Sequence, residues 1–457
     1  MITSQKTLTP KALLPAIQKL WEASAPKILS IDQAEVPGSA TPVFTIAGTY
    51  TARGWTEWTQ GFVYGSALLQ FDATGDESFL ELGRTRTREK MAHHITHIGV
   101  HDHGFNNVST YGNLLRLMVE GKIPFDAREK DFYELALKCS GAVQAARWTE
   151  IAGGGGYIHS FNGPHSLFAD TIRSLRVLSV SHALGHVLMG EKDAKISLLD
   201  RLIKHSRATS DYAVYFGEGR DAYDLRGRVA HESVFNLKDG SYRCPNSQQG
   251  YSPFTTWTRG LAWIVAGYPE QLEWLATLDD SELEPFGGRQ AVTGLFLKPA
   301  LAACDFYIDH TPTDGIPYWD TGAPLLHKLG DYLDRPAQIE NDWEPVDSSA
   351  AAIAAQGLLR LGRYLGETGA GEKYWQAGLT TAQTVLSEPY LSVDPGHQGL
   401  ILHSIYHRPN GWDHVPEGSK IPRGESSMWG DYHARELALY IQRLAEDKNY
   451  TFFGGIQ

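Results

Sequence analysis

Apolar residues recur at helical spacing along most of the chain, and this periodicity predicts a helix-dominated protein. Ala12–Trp21 carries the first such face and Gly61–Phe71 the second. The pattern continues through Glu77–Ile95, Val108–Glu120, Lys130–Arg147 and Leu167–Leu188. Ala194–His205, Thr256–Ala276, Val292–Ile308, Ser348–Leu365, Glu372–Leu386 and Ser427–Leu444 bring the helical candidates to twelve. Turn-rich stretches such as Gly153–Gly156, Asp309–Gly322 and Pro409–Gly424 lie between them. Val43–Ile46 and Ala213–Tyr215 are β-prone, but no alternating run is long enough to predict a large sheet. Twelve helices paired as six hairpins predict an all-α (α/α)6 toroid, in which each hairpin buries its apolar face against two neighbours. No tight repeat supports a regular solenoid, and no linker divides the chain, so residues 1–457 are expected to form a single domain.

Composition adds a hint of ligand. Hydrophobic residues make up 42% and charged residues 21%, enough for a sizeable core. Twelve Trp and 21 Tyr suit either that core or the stacking of sugar rings against aromatic faces. The formal net charge of −12, without a basic run, argues against nucleic acid as a partner. It also argues against long-range steering of a polyanion, so an acidic substrate would need a few local cations and hydrogen-bond donors. Cys139, Cys244 and Cys304 fit neither a disulfide framework nor a zinc set and are expected to be buried free thiols. Met1 to Leu29 has no apolar secretory core, and no apolar stretch of about 18 residues is apparent. A cytoplasmic protein without membrane association is expected, or a periplasmic one if a leader has been removed.

Three clusters could carry chemistry. In His101-Asp102-His103-Gly104-Phe105, Asp102 can be read as a helix N-cap or as a functional carboxylate. His93 and His97 share a helix face upstream, but nothing such as HExxH completes a metal site, and no metal is expected. Asp170 sits in the apolar run Leu167–Ile172, predicted as helix interior. A carboxylate facing a core must be hydrogen-bonded or carry a raised pKa, which would suit a general acid. The alternative is a solvent-facing carboxylate that complements a helix dipole. In the third cluster Gln249-Gly250-Tyr251 leads into Thr256-Trp257-Thr258-Arg259-Gly260-Leu261-Ala262-Trp263. Arg259 and Trp263, four apart, could clamp a sugar carboxylate bidentately, or form a structural cation–π cluster.

These blocks, taken in order, resemble the unsaturated glucuronyl hydrolases, glycoside hydrolase family 88. The similarity runs through Trp58-Thr59-Gln60-Gly61-Phe62, the His101-Asp102-x-Gly-Phe cluster, and Ile158-His159-Ser160-Phe161-Asn162 followed by Asp170. It continues in the Gln249–Trp263 blocks, Pro317-Tyr318-Trp319-Asp320, Asp347-Ser348-Ser349-Ala350-Ala351 and Trp429-Gly430-Asp431-Tyr432. The resemblance implies two essential aspartates, Asp102 and Asp170. It also carries over His101, His231, Gln249, Arg259 and Trp263 as substrate-site positions, with Trp58 and Trp257 as ring platforms. Phe161 stands where the family typically has Trp. The chain is also longer than compact members, with an N-terminal extension over about residues 1–50 and insertions around Asp211–Arg228 and Pro269–Arg289.

The implied substrate is an oligosaccharide left by a polysaccharide lyase, ending in a 4-deoxy uronic acid with a C4=C5 double bond. That bond makes the ring an enol ether, so the expected chemistry is protonation at C4 and addition of water at C5. One tuned acid/base suffices, with no metal or organic cofactor. Asp170 is expected to donate the proton and assist the water, with Asp102 holding ring hydroxyls and tuning it. Gln249 and Arg259 are expected to bind polar groups including the carboxylate, and His231 to position water or the leaving oxygen. Alternatives are an unsaturated rhamnogalacturonyl hydrolase, an inverting glycosidase with carboxyls about 6.5–9.5 Å apart, and a non-catalytic carbohydrate-binding toroid.

Overall fold

Polar caps set several of the helix starts. In the computed structural model, which describes residues 1–3, 8–34, 41–53 and 57–450, the Asp76 carboxylate accepts from Ser78 N to open the Glu77–Lys90 helix. Asp126 accepts from Arg128 N and Glu129 N ahead of Ala127–Ala146. Asp347 and Ser427 cap the Ser348–Leu365 and Met428–Ala445 helices in the same way. Each cap satisfies an N–H group that the helix itself leaves unpaired.

All twelve expected segments carry helix, with shifted ends. The first extends over Leu14–Gln33 and packs on Gln60–Thr74 and Met428–Ala445. The Val108–Glu120 segment is part of a longer rod that starts at His103, passes through a π-helical turn at Val108–Gly112 and ends at Val119. Leu167–Leu188 is corrected at both ends. Ser166–Phe168 is a strand, helix runs over Thr171–Ser174 and Arg176–Ala183, and Val187–Met189 is again a strand. Asp170 therefore stands at a helix start and not in a helix interior. A short apolar run cannot by itself distinguish buried strand from buried helix.

Six helical segments pack in sequence. Gln60–Thr74 contacts the His103–Val119 rod, that rod contacts Thr171–Ala183, and the latter contacts Thr258–Leu275. Thr258–Leu275 packs on Ser348–Leu365, which packs on Met428–Ala445, which returns to Gln60–Thr74. The remaining long helices pair outside them, as Gly288–Asp309 does with Thr258–Leu275 and Glu372–Val385 with Ser348–Leu365. The β-structure is local. Hairpins lie at Pro42–Ala52, Trp148–Ile158 and Val187–Ser197, and a three-stranded sheet joins Ser166–Phe168, Glu232–Phe235 and Tyr242–Asn246.

Two expectations from composition need correction. Only Cys304 is buried; Cys139 is half-buried and Cys244 lies exposed on a sheet strand. The Gly288–Asp309 helix is long and apolar enough to cross a membrane by length and composition. Here its apolar residues, among them Val292, Phe296 and Cys304, lie in the core.

One glycine sets the spacing beneath the functional cluster. A Cβ at Gly104 would lie 2.0 Å from the carbonyl oxygen of Ser174. The rod carrying Asp102 thus touches the helix after Asp170 backbone to backbone, and Ser174 Oγ links them by donating to His101 O and accepting from Gly104 N. Gly104→Ala is expected to separate the two helices, costing about 1–3 kcal/mol of stability together with most of the activity. A denaturation midpoint and a turnover rate both equal to wild type would exclude this.

Candidate active site

A cavity of about 330 Å³ opens above that contact. Asp102, with its backbone carbonyl starting the His103 helix, makes no side-chain cap. Asp170 starts the Thr171 helix and makes no side-chain cap either. Both carboxylates turn instead to one imidazole nitrogen. His101 Nε2 lies 3.1 Å from Asp170 Oδ1 and 3.8 Å from Asp102 Oδ1. The imidazole is 1% exposed, the aspartates 7% and 9%. Gln144 Nε2 and Ser174 Oγ both donate to the His101 carbonyl, fixing the backbone from which the ring projects.

Burial and charge set the protonation pattern. Burial alone would depress the pKa of His101, but Asp102 and Asp170 outweigh it and hold it above the usual imidazole value. Burial pushes the Asp102 carboxyl up, and His101 only partly offsets this. Burial acts on Asp170 in the same sense, yet the charge and hydrogen bond of His101 bring it below the ordinary range. Of the two readings of a buried carboxylate, hydrogen-bonded or raised in pKa, Asp170 takes the first. The raised carboxyl is Asp102, because Asp170 has the hydrogen-bonded imidazolium.

Aromatic rings wall the cavity. Trp58 stacks on Trp429 at a centroid distance of 5.1 Å, and Trp263 packs on Phe105 at 5.0 Å. Phe161 lies nearly parallel to His101, centroids 6.1 Å apart, and meets Phe168 edge-on. Trp257 completes this side, with Arg259 over its ring at 4.6 Å.

Arg259 is present but does not act as the expected clamp. Its guanidinium lies between Trp257 and Trp429. Nη1 donates to Ile405 O and reaches Asp347 Oδ2 at 3.5 Å, while Nη2 donates to Gln249 Oε1 at 2.7 Å and Tyr406 O at 2.8 Å. All four terminal N–H groups are therefore directed at protein acceptors, which leaves no bidentate fork for a sugar carboxylate. The cation–π reading of this cluster holds, and the guanidinium also orients Gln249.

His231 is also corrected. Its ring packs between Phe168 and Trp257, centroids 4.6 and 4.5 Å away, behind the residues that line the cavity. Burial first, against the opposing charges of Asp170 and Glu232, lowers its pKa to about 4, so the ring is neutral. Nδ1 accepts from Gln248 N and Gln249 N, and His231 thereby shapes the Gln249 loop. The upstream histidines are held by a structural network: His94 bonds Gln60, and His103 bonds Ser140 and the His97 carbonyl.

Tyr406, His407 and Trp412 line the cavity and were missed: Trp412 lies in Pro409–Gly424, which reads only as a turn-rich stretch, and Tyr406 and His407 stand just before it in a segment without periodicity. The available signal was the density of rings and polar groups in Tyr406-His407-Arg408-Pro409-Asn410-Gly411-Trp412. Asp413 holds this loop by accepting from Tyr406 N and His407 N, and burial raises its pKa to about 6.

No family model matches the chain. An unsaturated glucuronyl hydrolase from Bacillus sp. strain GL1 is 25% identical over 406 residues, covering 86% of this chain and 88% of that protein. The chain is thus similar in sequence to a protein named as an unsaturated glucuronyl hydrolase. One from Formosa agariphila is 23% identical over 394 residues, covering 85% of this chain and 80% of that protein. An unsaturated chondroitin disaccharide hydrolase from Streptococcus pyogenes is 22% identical over 393 residues, covering 84% and 81%. Among solved structures, the Bacillus sp. GL1 hydrolase superposes with a TM-score of 0.70 at 21% identity, covering 94% of this chain and 97% of its own. This likeness extends the helical fold across nearly the whole chain.

Proposed function

We propose that this protein hydrolyses oligosaccharides ending in a 4,5-unsaturated glucuronic acid, on a helical array closed as an (α/α)6 toroid. The toroid reading draws on the packing order, since the sixth inner helix returns to the first. The activity reading rests on one observation: two buried carboxylates share a single imidazole nitrogen at the floor of an aromatic-walled cavity. Relatives named for the same activity add support.

His101 and Asp170 hold one proton between them. With the protein's own groups alone around it, the proton rests on the imidazole. A bound uronate adds negative charge and displaces water, which raises the pKa of Asp170 and moves the proton onto its carboxylate. Asp170 then protonates C4; the C4=C5 electron pair forms the new C–H bond and C5–O5 gains oxocarbenium character. The regenerated carboxylate takes a proton from water as its oxygen adds to C5. The resulting hemiketal opens by cleavage of C5–O5, and the hemiacetal left at C1 expels the saturated sugar. Asp102, with its elevated pKa, meets the ring hydroxyls, and Trp58, Phe161, Trp257 and Trp263 cover the ring faces.

The test is loss of the ultraviolet absorbance of the conjugated double bond in unsaturated disaccharides. Persistence of that absorbance while saturated sugar is released would favour ordinary glycosidic displacement. The pair also predicts a pH profile. kcat/KM is expected to fall as pH rises above the ordinary imidazole range, where His101–Asp170 loses its proton. In His101→Asn the proton must reside on a carboxyl alone, so this limb should move to lower pH. An unshifted limb would exclude the shared proton.

A further inference from the structure

The cavity needs a receptor for the uronate carboxylate; the imidazolium of His101 is engaged by Asp170, and the guanidinium of Arg259 has its terminal N–H groups directed at protein acceptors. We propose that the carboxylate is received by two neutral donors, Gln249 Nε2 and His407 Nε2, with the Arg259 charge held behind them. The inference deepens the reading of this cavity as an unsaturated-uronate site and rests on it.

Three observations carry it. First, Arg259 Nη2 donates to Gln249 Oε1, which commits the amide oxygen to the guanidinium and leaves the NH₂ end as the donor of a residue that lines the cavity. Second, His407 Nδ1 accepts from Asn410 N at 3.3 Å, so the proton of the neutral ring is on Nε2. Third, the same Nη2 that holds Gln249 also donates to the carbonyl of Tyr406, next to His407. One amino group therefore ties both donors to one place on the cavity wall, and both line the cavity. Asp413 fixes the other side of the loop through Tyr406 N and His407 N.

The arrangement suits a carboxylate. A fixed guanidinium behind two N–H donors gives a positive potential without an exposed cation that would bind any anion. Both donors are preorganised, so no bond to Arg259 must break when the substrate enters. His407 stays neutral, because burial and then the nearby Arg259 and His231 keep its pKa down at about 4. It is a positioning residue, and it transfers no proton.

The experiment compares an unsaturated disaccharide with its uronate methyl ester, in wild type, His407→Ala and His407→Gln, by ultraviolet loss. Esterification removes the charge, and comparing acid/ester ratios between enzymes cancels the intrinsic reactivity difference. Wild type is expected to prefer the acid strongly. His407→Ala should lose roughly 10-fold or more in kcat/KM on the acid, mostly in KM, and little on the ester, as for a hydrogen bond to a charged group. His407→Gln, which keeps an N–H donor, should recover part of the preference. Equal losses on acid and ester in His407→Ala would overturn the carboxylate assignment while leaving the activity intact. Absence of turnover by wild type would overturn the activity reading and this proposal with it.

Discussion

Asp170→Asn is expected to lower kcat by about 10²–10⁴-fold, the range for loss of a general acid/base, while KM changes little. The amide matches the carboxylate in shape but cannot deliver a proton to C4 or take one from water. The variant should fold, because the Asp170 side chain does not cap its helix. Asp102→Asn offers a contrast. Its carboxyl lies farther from His101 Nε2, 3.8 Å against 3.1 Å. Its loss should weaken binding through ring hydroxyls as well as slow turnover. An Asp170→Asn enzyme with wild-type kcat in the absorbance assay would remove the central catalytic assignment.

Arg259→Ala is expected to be destabilising by about 3–5 kcal/mol, as when one partner of a buried ion pair is removed, and to abolish measurable turnover. Asp347 is fully buried and would lose its cation, although Ser349 N and Oγ still donate to its carboxylate. The carbonyls of Ile405 and Tyr406 would be left without their donor, and a void would open between Trp257 and Trp429. Arg259 joins the Thr258–Leu275 helix, the start of Ser348–Leu365 and the loop at 405–413, so its loss releases both cavity donors together. Arg259→Lys should not restore activity, because an ammonium cannot stack flat between indoles and reach the same four acceptors. Chemical denaturation followed by tryptophan fluorescence checks the first effect. An unchanged midpoint would show that the network is dispensable.

The two predictions separate chemistry from scaffold. Asp170→Asn should lose rate with stability retained, whereas Arg259→Ala should lose both. His407→Ala falls between them, losing affinity for an acidic substrate with the fold intact.

The twelve helices were legible in the sequence because apolar positions at a 3.6-residue period report directly which face is buried. Helix ends were less legible. Leu167–Phe168 reads as helix in isolation, and only pairing of Ser166–Phe168 with Glu232–Val234 makes it a strand. The ordered motifs also placed Asp102, Asp170, His101, Trp58, Phe161, Gln249, Trp257, Arg259 and Trp263 around one site, and all nine line the cavity. What each does there depends on neighbours distant in sequence. His101 supplies the hydrogen bond to Asp170 across 69 positions, and Arg259 finds three of its acceptors 88, 146 and 147 positions away. His231 retreats behind Trp257, and His407 moves forward from an unremarked loop. The sequence alone determined the helical class and the cast of chemical groups, because periodicity and residue type are local properties. The tertiary structure decided which nitrogen holds the proton and which donors face the cavity, because pKa and hydrogen-bond occupancy depend on through-space distance.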